Sequence, residues 1–281
     1  MSTNLVTTEW LEKNLNRKDL VILDATMDSI SGDNSDLYNR VFIPKTQRFD
    51  IKHEFSKIDS ELPCTVPTYD EFCQKVRKLG IKKDSTVVIY DAKGIYSSPR
   101  AWWLLTLMGH KKVFVLDGGM PKWEMENRPL AVSASESNSN VQWEGDFFSE
   151  LAVDKDQISS AIALSEANIL DARSFLRFSG AAPEPRKGLR SGHVPSAKNL
   201  PFEQLVSRGC YLPKEALKAK FDELGIDMSL PSYFYCGSGV TACILLLAAL
   251  EIGMKQLAIY DGSWSEWGAD PALLIEAGNV G

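Results

Sequence analysis

The two halves of this chain carry the same landmarks in the same order. Each half has an apolar run ending in Asp-Ala, an apolar-Pro pair, a Leu-Gly-Ile triplet, a second apolar run, a longer apolar segment ending in Gly, and a last apolar run followed by Gly and Trp. The landmarks lie at residues 21–25, 43–44, 79–81, 87–91, 109, 113–119 and 123, and again at residues 168–172, 194–195, 224–226, 233–236, 253, 257–262 and 267. Such self-similarity indicates an internal duplication. A length of 281 residues is also one at which two domains are expected.

The segment between the copies has the composition of an exposed linker. Residues 131–140 are rich in Ser and Asn and poor in apolar side chains. We therefore predict two domains, residues 1–136 and residues 137–281.

The apolar runs predict an α/β fold in each half. Residues 87–90 form a continuous apolar run, as in a strand of a parallel sheet that is covered on both faces. Residues 100–108 and 241–250 are too long and too rich in Leu and Ala for strands, and we expect buried helices there. The alternation predicts a parallel sheet flanked by helices in each copy, with the reactive loop where a strand hands over to a helix.

Composition narrows the class of protein. The net charge is -6, so we expect no nucleic-acid partner, because that binding needs clustered Lys and Arg. We expect no membrane span and no secretory signal, since no apolar run reaches about 18 residues and the first ten residues lack a basic and apolar leader. The five cysteines lack CxxC spacing, which predicts reduced thiols in a cytoplasmic protein without a metal or other cofactor. Two of them, Cys64 and Cys210, are expected to be exposed.

The handover from strand to helix in the second half carries a cysteine. Residues 235–242 read Tyr-Cys-Gly-Ser-Gly-Val-Thr-Ala, so Cys236 follows a strand and precedes a helix. Backbone N–H groups of such a loop, together with the helix N-terminus, favour an anion, and we expect them to stabilise a thiolate or a persulfide on Cys236. A P-loop is disfavoured because no Lys follows the glycines. A cysteine phosphatase is disfavoured because Ala242 stands where its Arg would be.

The loop at Cys236–Ala242 resembles the active-site loop of the 3-mercaptopyruvate sulfurtransferases, members of the rhodanese superfamily. Residues 95–103, 192–197 and 260–267 resemble further signatures of that family. The resemblance implies tandem rhodanese-like domains, the first catalytically inactive because Asp91 occupies the catalytic position, and the second carrying sulfur on Cys236.

The resemblance also implies a donor site. Arg177 and Arg186 take the place of the two arginines that hold the donor carboxylate, a task suited to the bidentate guanidinium fork. Gly237 and Ser238 replace the Arg and Lys of thiosulfate-specific loops, which favours a less charged donor. The remaining predicted substrate contacts are Gly239, Val240, Thr241 and, from the first domain, Tyr96.

Proton transfer is the part of the site that departs from the family. Ser238 is the predicted catalytic hydroxyl. The family supplies a His and an Asp from the first domain, but residues 60–63 are Ser-Glu-Leu-Pro and Lys52 stands at the expected Asp position. His53 is expected to be an exposed loop residue, and His193 to be structural.

The expected reaction transfers sulfur from a small mercapto-acid, 3-mercaptopyruvate, to a thiol acceptor such as thioredoxin or glutathione, or to cyanide, with release of pyruvate. Two alternatives stay open. One is a thiosulfate sulfurtransferase of the same fold, and the other is a non-enzymatic sulfur-relay module that works only when docked to a partner protein.

Overall fold

A computed structural model describes residues 3–27, 40–137 and 139–278. Each half contains a five-stranded parallel sheet, as predicted. The first sheet consists of β1 (Leu5–Val6), β2 (Leu20–Asp24), β3 (Thr46–Arg48), β4 (Thr86–Tyr90) and β5 (Val113–Leu116). The second consists of β6 (Ala152–Val153), β7 (Asn168–Asp171), β8 (Lys198–Asn199), β11 (Ser232–Tyr235) and β12 (Leu257–Tyr260). A short antiparallel pair, β9 (Val206–Ser207) and β10 (Cys210–Tyr211), lies between β8 and β11 in the chain.

The two sheets have the same topology. The strand order is β1-β5-β4-β2-β3 in the first and β6-β12-β11-β7-β8 in the second, and every neighbouring pair is parallel. Equivalent strands therefore occupy equivalent places, with β4 and β11 at the two centres. This correspondence confirms the duplication read from the sequence.

Helices flank both sheets. They are α1 (Thr8–Asn14), α2 (Tyr69–Val76), α3 (Ser98–Leu107), α4 (Gly119–Met125), α5 (Lys155–Leu164), α6 (Phe175–Phe178), α7 (Lys214–Glu223), α8 (Ala242–Glu251) and α9 (Ser263–Trp267). Short 3₁₀ helices span Arg77–Leu79, Ser149–Leu151 and Phe202–Leu205. The starts of α2 and α5 are fixed by capping boxes, Thr68 with Glu71 and Asp154 with Gln157, in which each side chain satisfies a backbone N–H of the first turn.

The two helices predicted to be buried are buried and pack against each other. Every residue of α3 except Thr106, and every residue of α8 except Leu250, is buried. Because α3 belongs to the first half and α8 to the second, their contact joins the halves. The largest apolar cluster accordingly contains residues of both sheets.

The connection between the sheets lies against the first half. Trp143 Nε1 donates to the carbonyl oxygen of Met108 at 2.9 Å, and the Tyr69 hydroxyl donates to the carbonyl oxygen of Gly145 at 2.5 Å. Trp143 also packs edge-on against Phe72. The predicted boundary between residues 136 and 137 falls within this connection and stays a prediction.

Candidate active site

Cys236 lies directly after β11, the central strand of the second sheet. Its side chain is buried, and the loop 236–241 leads into α8. The segment around α9 holds the start of this loop: the Cys236 N–H donates to Ser263 Oγ at 3.3 Å, and the Cys236 carbonyl accepts from the Trp264 N–H at 2.9 Å. The Ser265 N–H donates to the Gly237 carbonyl at 3.0 Å. The cysteine therefore sits at a fixed place between the sheet and α9.

The remaining amides of the loop are unused within the protein. In the parts of the chain that the structure describes, the N–H groups of residues 237–241 donate to no protein acceptor, although residues 237–240 are buried. Burying an unpaired N–H costs free energy, so such a set is characteristic of a place that receives an anion. The N-terminus of α8 adds positive potential at the same point.

The equivalent loop of the first half contains its own anion. Asp91 follows β4 as Cys236 follows β11, and its carboxylate is buried. Asp91 Oδ2 accepts backbone N–H groups from Tyr96, Ser97 and Ser98 at 3.0, 3.0 and 2.8 Å, and Oδ1 accepts that of Lys93 at 2.9 Å. Burial raises the pKa of Asp91, and these hydrogen bonds oppose that shift. A loop of this design therefore directs its amides at one acceptor group, and the second half places a sulfur atom where the first half has a carboxylate.

A cavity of about 660 Å³ opens at Cys236 and is formed by both halves. It is lined by eight of the nine predicted site residues, namely Tyr96, Arg177, Arg186, Cys236, Gly237, Ser238, Val240 and Thr241. Gly239 is the exception. Its carbonyl oxygen accepts from Arg100 Nη1 at 3.3 Å, and its φ of +74° favours glycine, so Gly239 shapes the loop from behind.

The two predicted carboxylate-binding arginines converge on Gly237. A Cβ atom added to Gly237 would lie 3.1 Å from Nη2 of Arg177 and 3.4 Å from Nη1 of Arg186. Arg177 is paired with Glu184 through Nε–Oε1 at 3.1 Å and Nη2–Oε2 at 2.6 Å, whereas Arg186 forms no ion pair with any residue in the described ranges. Both guanidinium groups keep donors beside Cys236 for a small carboxylate.

Comparison with known proteins gives the family. The model of the rhodanese-like domain matches residues 7–126 and again residues 154–270. The chain belongs to the rhodanese family. It is 38% identical to the Arabidopsis thaliana thiosulfate/3-mercaptopyruvate sulfurtransferase 1, mitochondrial, over 98% of this chain and 79% of the relative, and 35% identical to the 3-mercaptopyruvate sulfurtransferase of Escherichia coli K12, over 98% and 99%.

A solved structure agrees with this membership. The crystal structure of SseA from Escherichia coli superimposes with a TM-score of 0.85 at 33% identity, covering 94% of this chain and all of that one. The chain is a sulfurtransferase of the rhodanese family with two rhodanese-like domains. In the described residues, no helix combines the length and the apolar character needed to cross a membrane.

One cysteine of this rhodanese chain does not lie where the sequence predicted. Cys64 was expected to be exposed, but it is only 8% accessible and lines the cavity. Its carbonyl oxygen accepts from Arg100 Nη2 at 2.5 Å, and burial raises the pKa of its thiol. No local pattern signals this position, because the groups around Cys64 come from both halves. Cys210, the other cysteine expected to be exposed, is half-buried in β10.

A histidine that sequence reasoning set aside also reaches the cavity. His53 lines its mouth, and His53 Nδ1 lies 3.0 Å from Asp50 Oδ2. Burial alone would raise the pKa of Asp50, but hydrogen bonds from the backbone and ring of His53 outweigh it and lower that pKa. The Asp-x-x-His spacing of Asp50 and His53 is the sequence feature that indicates their pairing. His193, in contrast, is buried away from the cavity, stacked on Phe178 with its Nδ1 2.8 Å from the Phe178 carbonyl oxygen.

Proposed function

We propose that the chain transfers sulfur from 3-mercaptopyruvate to a thiol or to cyanide through a persulfide on Cys236, with release of pyruvate. The observation that carries this proposal is the set of unused amides around a buried cysteine, in a loop whose duplicate encloses the carboxylate of Asp91. A thiolate or a persulfide is the anion that Cys236 itself can supply. The first copy has no thiol at this place, so we propose that it is catalytically inactive.

The two arginines support a carboxylate-bearing donor. Both guanidinium groups lie against Gly237, next to the reacting sulfur. A donor held there by its carboxylate and adjacent carbonyl would present its sulfur to Cys236. Two carbon atoms separate that sulfur from the carboxylate group. Tyr96, whose ring lies edge-on to Phe202 at 5.9 Å, closes the cavity from the first half.

The proposed chemistry proceeds in two steps. The Cys236 thiolate attacks the donor sulfur, the carbon–sulfur bond breaks, and its electron pair leaves on carbon as the enolate of pyruvate, which takes up a proton. An acceptor then attacks the outer sulfur of the persulfide and regenerates the Cys236 thiolate.

Ser238 and the His53–Asp50 pair are the groups we propose for proton transfer. Ser238 is buried beside Cys236 and lines the cavity, and His53 lies at its mouth with its ring oriented by Asp50. An imidazole ring both donates and accepts protons, and an exposed ring exchanges them with solvent. Ser238 would then act close to the reacting atoms, and His53 would connect the cavity to bulk water.

The acceptor and the cellular setting belong to the same proposal. A cavity of this size has room for small acceptors, namely the thiol end of glutathione, a small dithiol or cyanide. Its opening would allow an exposed thiol of a thioredoxin to approach. All five cysteines are free, which suits a reducing, cytoplasmic environment.

Steady-state assays with two donors test the donor assignment. We expect a higher kcat/KM for 3-mercaptopyruvate than for thiosulfate, and we expect Arg186→Ala to lower the former about 30-fold or more, since a charge-assisted pair is removed. Arg208→Ala, on an exposed turn, is the matched control. A strong thiosulfate preference that Arg186→Ala leaves unchanged would instead favour the thiosulfate alternative. Acceptance of sulfur from a protein persulfide alone would favour the relay module.

A further inference from the structure

Glu184 is a buried carboxylate that joins two of the arginines near Cys236. Its side chain is 1% accessible, its Oε1 accepts from Arg173 Nη1 at 2.8 Å and from Arg177 Nε at 3.1 Å, and its Oε2 accepts from Arg177 Nη2 at 2.6 Å. We propose that Glu184 determines donor specificity by setting the charge of the donor site, so that the site accepts a monoanion in preference to a dianion. This inference rests on the proposed function.

The charges around the donor site support the inference. Three guanidinium groups line this part of the cavity, those of Arg173, Arg177 and Arg186. Two buried carboxylates lie behind them: Asp171 pairs with Arg173, and Glu184 pairs with Arg173 and Arg177. These five side chains sum to one positive charge, and the attacking Cys236 thiolate brings the sum to zero, so the site has no surplus positive charge for a second anionic group of the donor. The other charged residues that line the cavity, Lys52, Lys57 and Glu203, are exposed at its mouth, where solvent screens them.

The geometry gives Glu184 a second effect, on the orientation of Arg177. The carboxylate occupies Nε and one N–H of Nη2, which is one edge of the guanidinium group. Nη1 and the second N–H of Nη2 remain, and both nitrogens lie within 4 Å of the place where a Gly237 Cβ would be, at 3.9 and 3.1 Å. Glu184 is therefore a positioning residue that turns the free edge of Arg177 toward the donor.

The two donors in question differ in charge. A thiol with an ordinary pKa of about 8.5 is protonated near neutral pH, so 3-mercaptopyruvate carries one negative charge, on its carboxylate. Thiosulfate carries two. Removing the charge of Glu184 would raise the net charge of the site by one, which favours the dianion more than the monoanion.

The test compares kcat/KM for thiosulfate with kcat/KM for 3-mercaptopyruvate in three variants. We expect Glu184→Gln to raise kcat/KM for thiosulfate, relative to kcat/KM for 3-mercaptopyruvate, about tenfold. Glu184→Asp keeps the charge and should leave the ratio of the two kcat/KM values within about twofold of that in the unmodified protein, even if both kcat/KM values fall. Glu203→Gln removes an exposed charge at the mouth and is the matched control, with the ratio unchanged. An equal shift in Glu184→Asp, or no shift in Glu184→Gln, would overturn the inference.

A measurement on the unmodified protein covers the case in which Glu184→Gln does not fold. Pyruvate and oxalate have the same size and differ by one charge, and both are tested as competitive inhibitors. We expect pyruvate to bind at least as tightly as oxalate; oxalate binding tenfold tighter or more would contradict the inference. Unmodified protein that takes no sulfur from 3-mercaptopyruvate would defeat the proposed function itself. Normal mercaptopyruvate turnover with an unshifted ratio would defeat only the role of Glu184.

Discussion

Gly237 lies where two guanidinium groups approach the loop after β11, and under the proposed function a side chain there would compete with the donor. Its backbone does not require glycine, since its φ lies outside the left-handed region, but an added methyl group would meet Arg177 and Arg186 at 3.1 and 3.4 Å. The far ends of those side chains can shift. The proposed function therefore accounts for glycine at this position, whereas the fold does not require it.

Gly237→Ala is consequently expected to impair donor binding more than stability. We predict a KM for 3-mercaptopyruvate raised about tenfold, because the two arginines must move from the carboxylate, with a change in unfolding free energy below about 1 kcal/mol. Gly225→Ala is the control, since Gly225 has a φ of +58° and open surroundings: it should cost stability and leave KM unchanged. The opposite pattern at the two positions would show that Gly237 serves only the fold.

The second-half residues that line the cavity were easier to predict from the sequence than the first-half ones. Cys236 to Thr241 could be identified because a strand, glycines and a helix follow one another within a few residues. Cys64 and His53 could not, because their places in the cavity depend on contacts between segments far apart in the chain; the Asp-x-x-His spacing indicates only that His53 pairs with Asp50. Cys64, for example, is held by Arg100, which also contacts Gly239 and Asp261.

At the level of elements, the loops after β4 and β11 occupy equivalent positions in the two sheets and differ in what their backbone amides bind. The first encloses a carboxylate as part of the protein, and the second leaves the same kind of amides unused. Asp91, at the position that corresponds to Cys236, is accordingly expected to be important for stability. We therefore expect the loop after β4 to serve the fold.

Asp91→Asn tests that role. The amide cannot accept at both of its side-chain positions, so at least one group of buried N–H donors loses a charged partner, and we predict a loss of about 2 kcal/mol or more in unfolding free energy. Asp84→Asn, on an exposed turn before β4, is the matched control and should change it by less than about 0.5 kcal/mol. Denaturant unfolding measures both. A loss at Asp91 as small as at Asp84 would mean that the first loop does not depend on its internal anion.

Elements were predictable in proportion to the length and regularity of their patterns. The helices α3 and α8 were predicted because apolar residues on every side indicate a helix covered all round. The four-residue helix α6 and the β9–β10 pair were not, because two to four residues are too few to show a period. α6 carries Arg177 and is therefore part of the proposed donor site.

At the scale of the whole molecule, the two halves share a core and a cavity. The sequence predicted two similar domains, and the two sheets confirm that prediction. The extent of the contact between the halves was not predictable, because an apolar face on α3 or α8 does not specify which element packs against it. Arg100 strengthens this junction from the first half: it is buried, and its Nη2 lies 2.7 Å from Asp261 Oδ1. The Val66 N–H donates to the other oxygen of Asp261 at 2.8 Å.

A shared core predicts that the halves unfold together. We expect a single cooperative transition in denaturant, with the same midpoint for tryptophan fluorescence and for far-UV circular dichroism. The largest apolar cluster spans both sheets, so exposing one half would expose α3 or α8 of the other. Two separated transitions would contradict a common core and would describe the molecule as two independently stable domains.

The most direct test of the whole account is the mass of the intact protein after mixing with 3-mercaptopyruvate. We predict the gain of one sulfur atom, located on the peptide that contains Cys236, with pyruvate released in equal amount and the added sulfur lost when a thiol is supplied. Cys236→Ser should gain nothing, whereas Cys73→Ser, which alters a half-buried thiol on α2, should behave as the unmodified protein. An unchanged mass of the unmodified protein, or sulfur carried on another cysteine, would contradict the central claim.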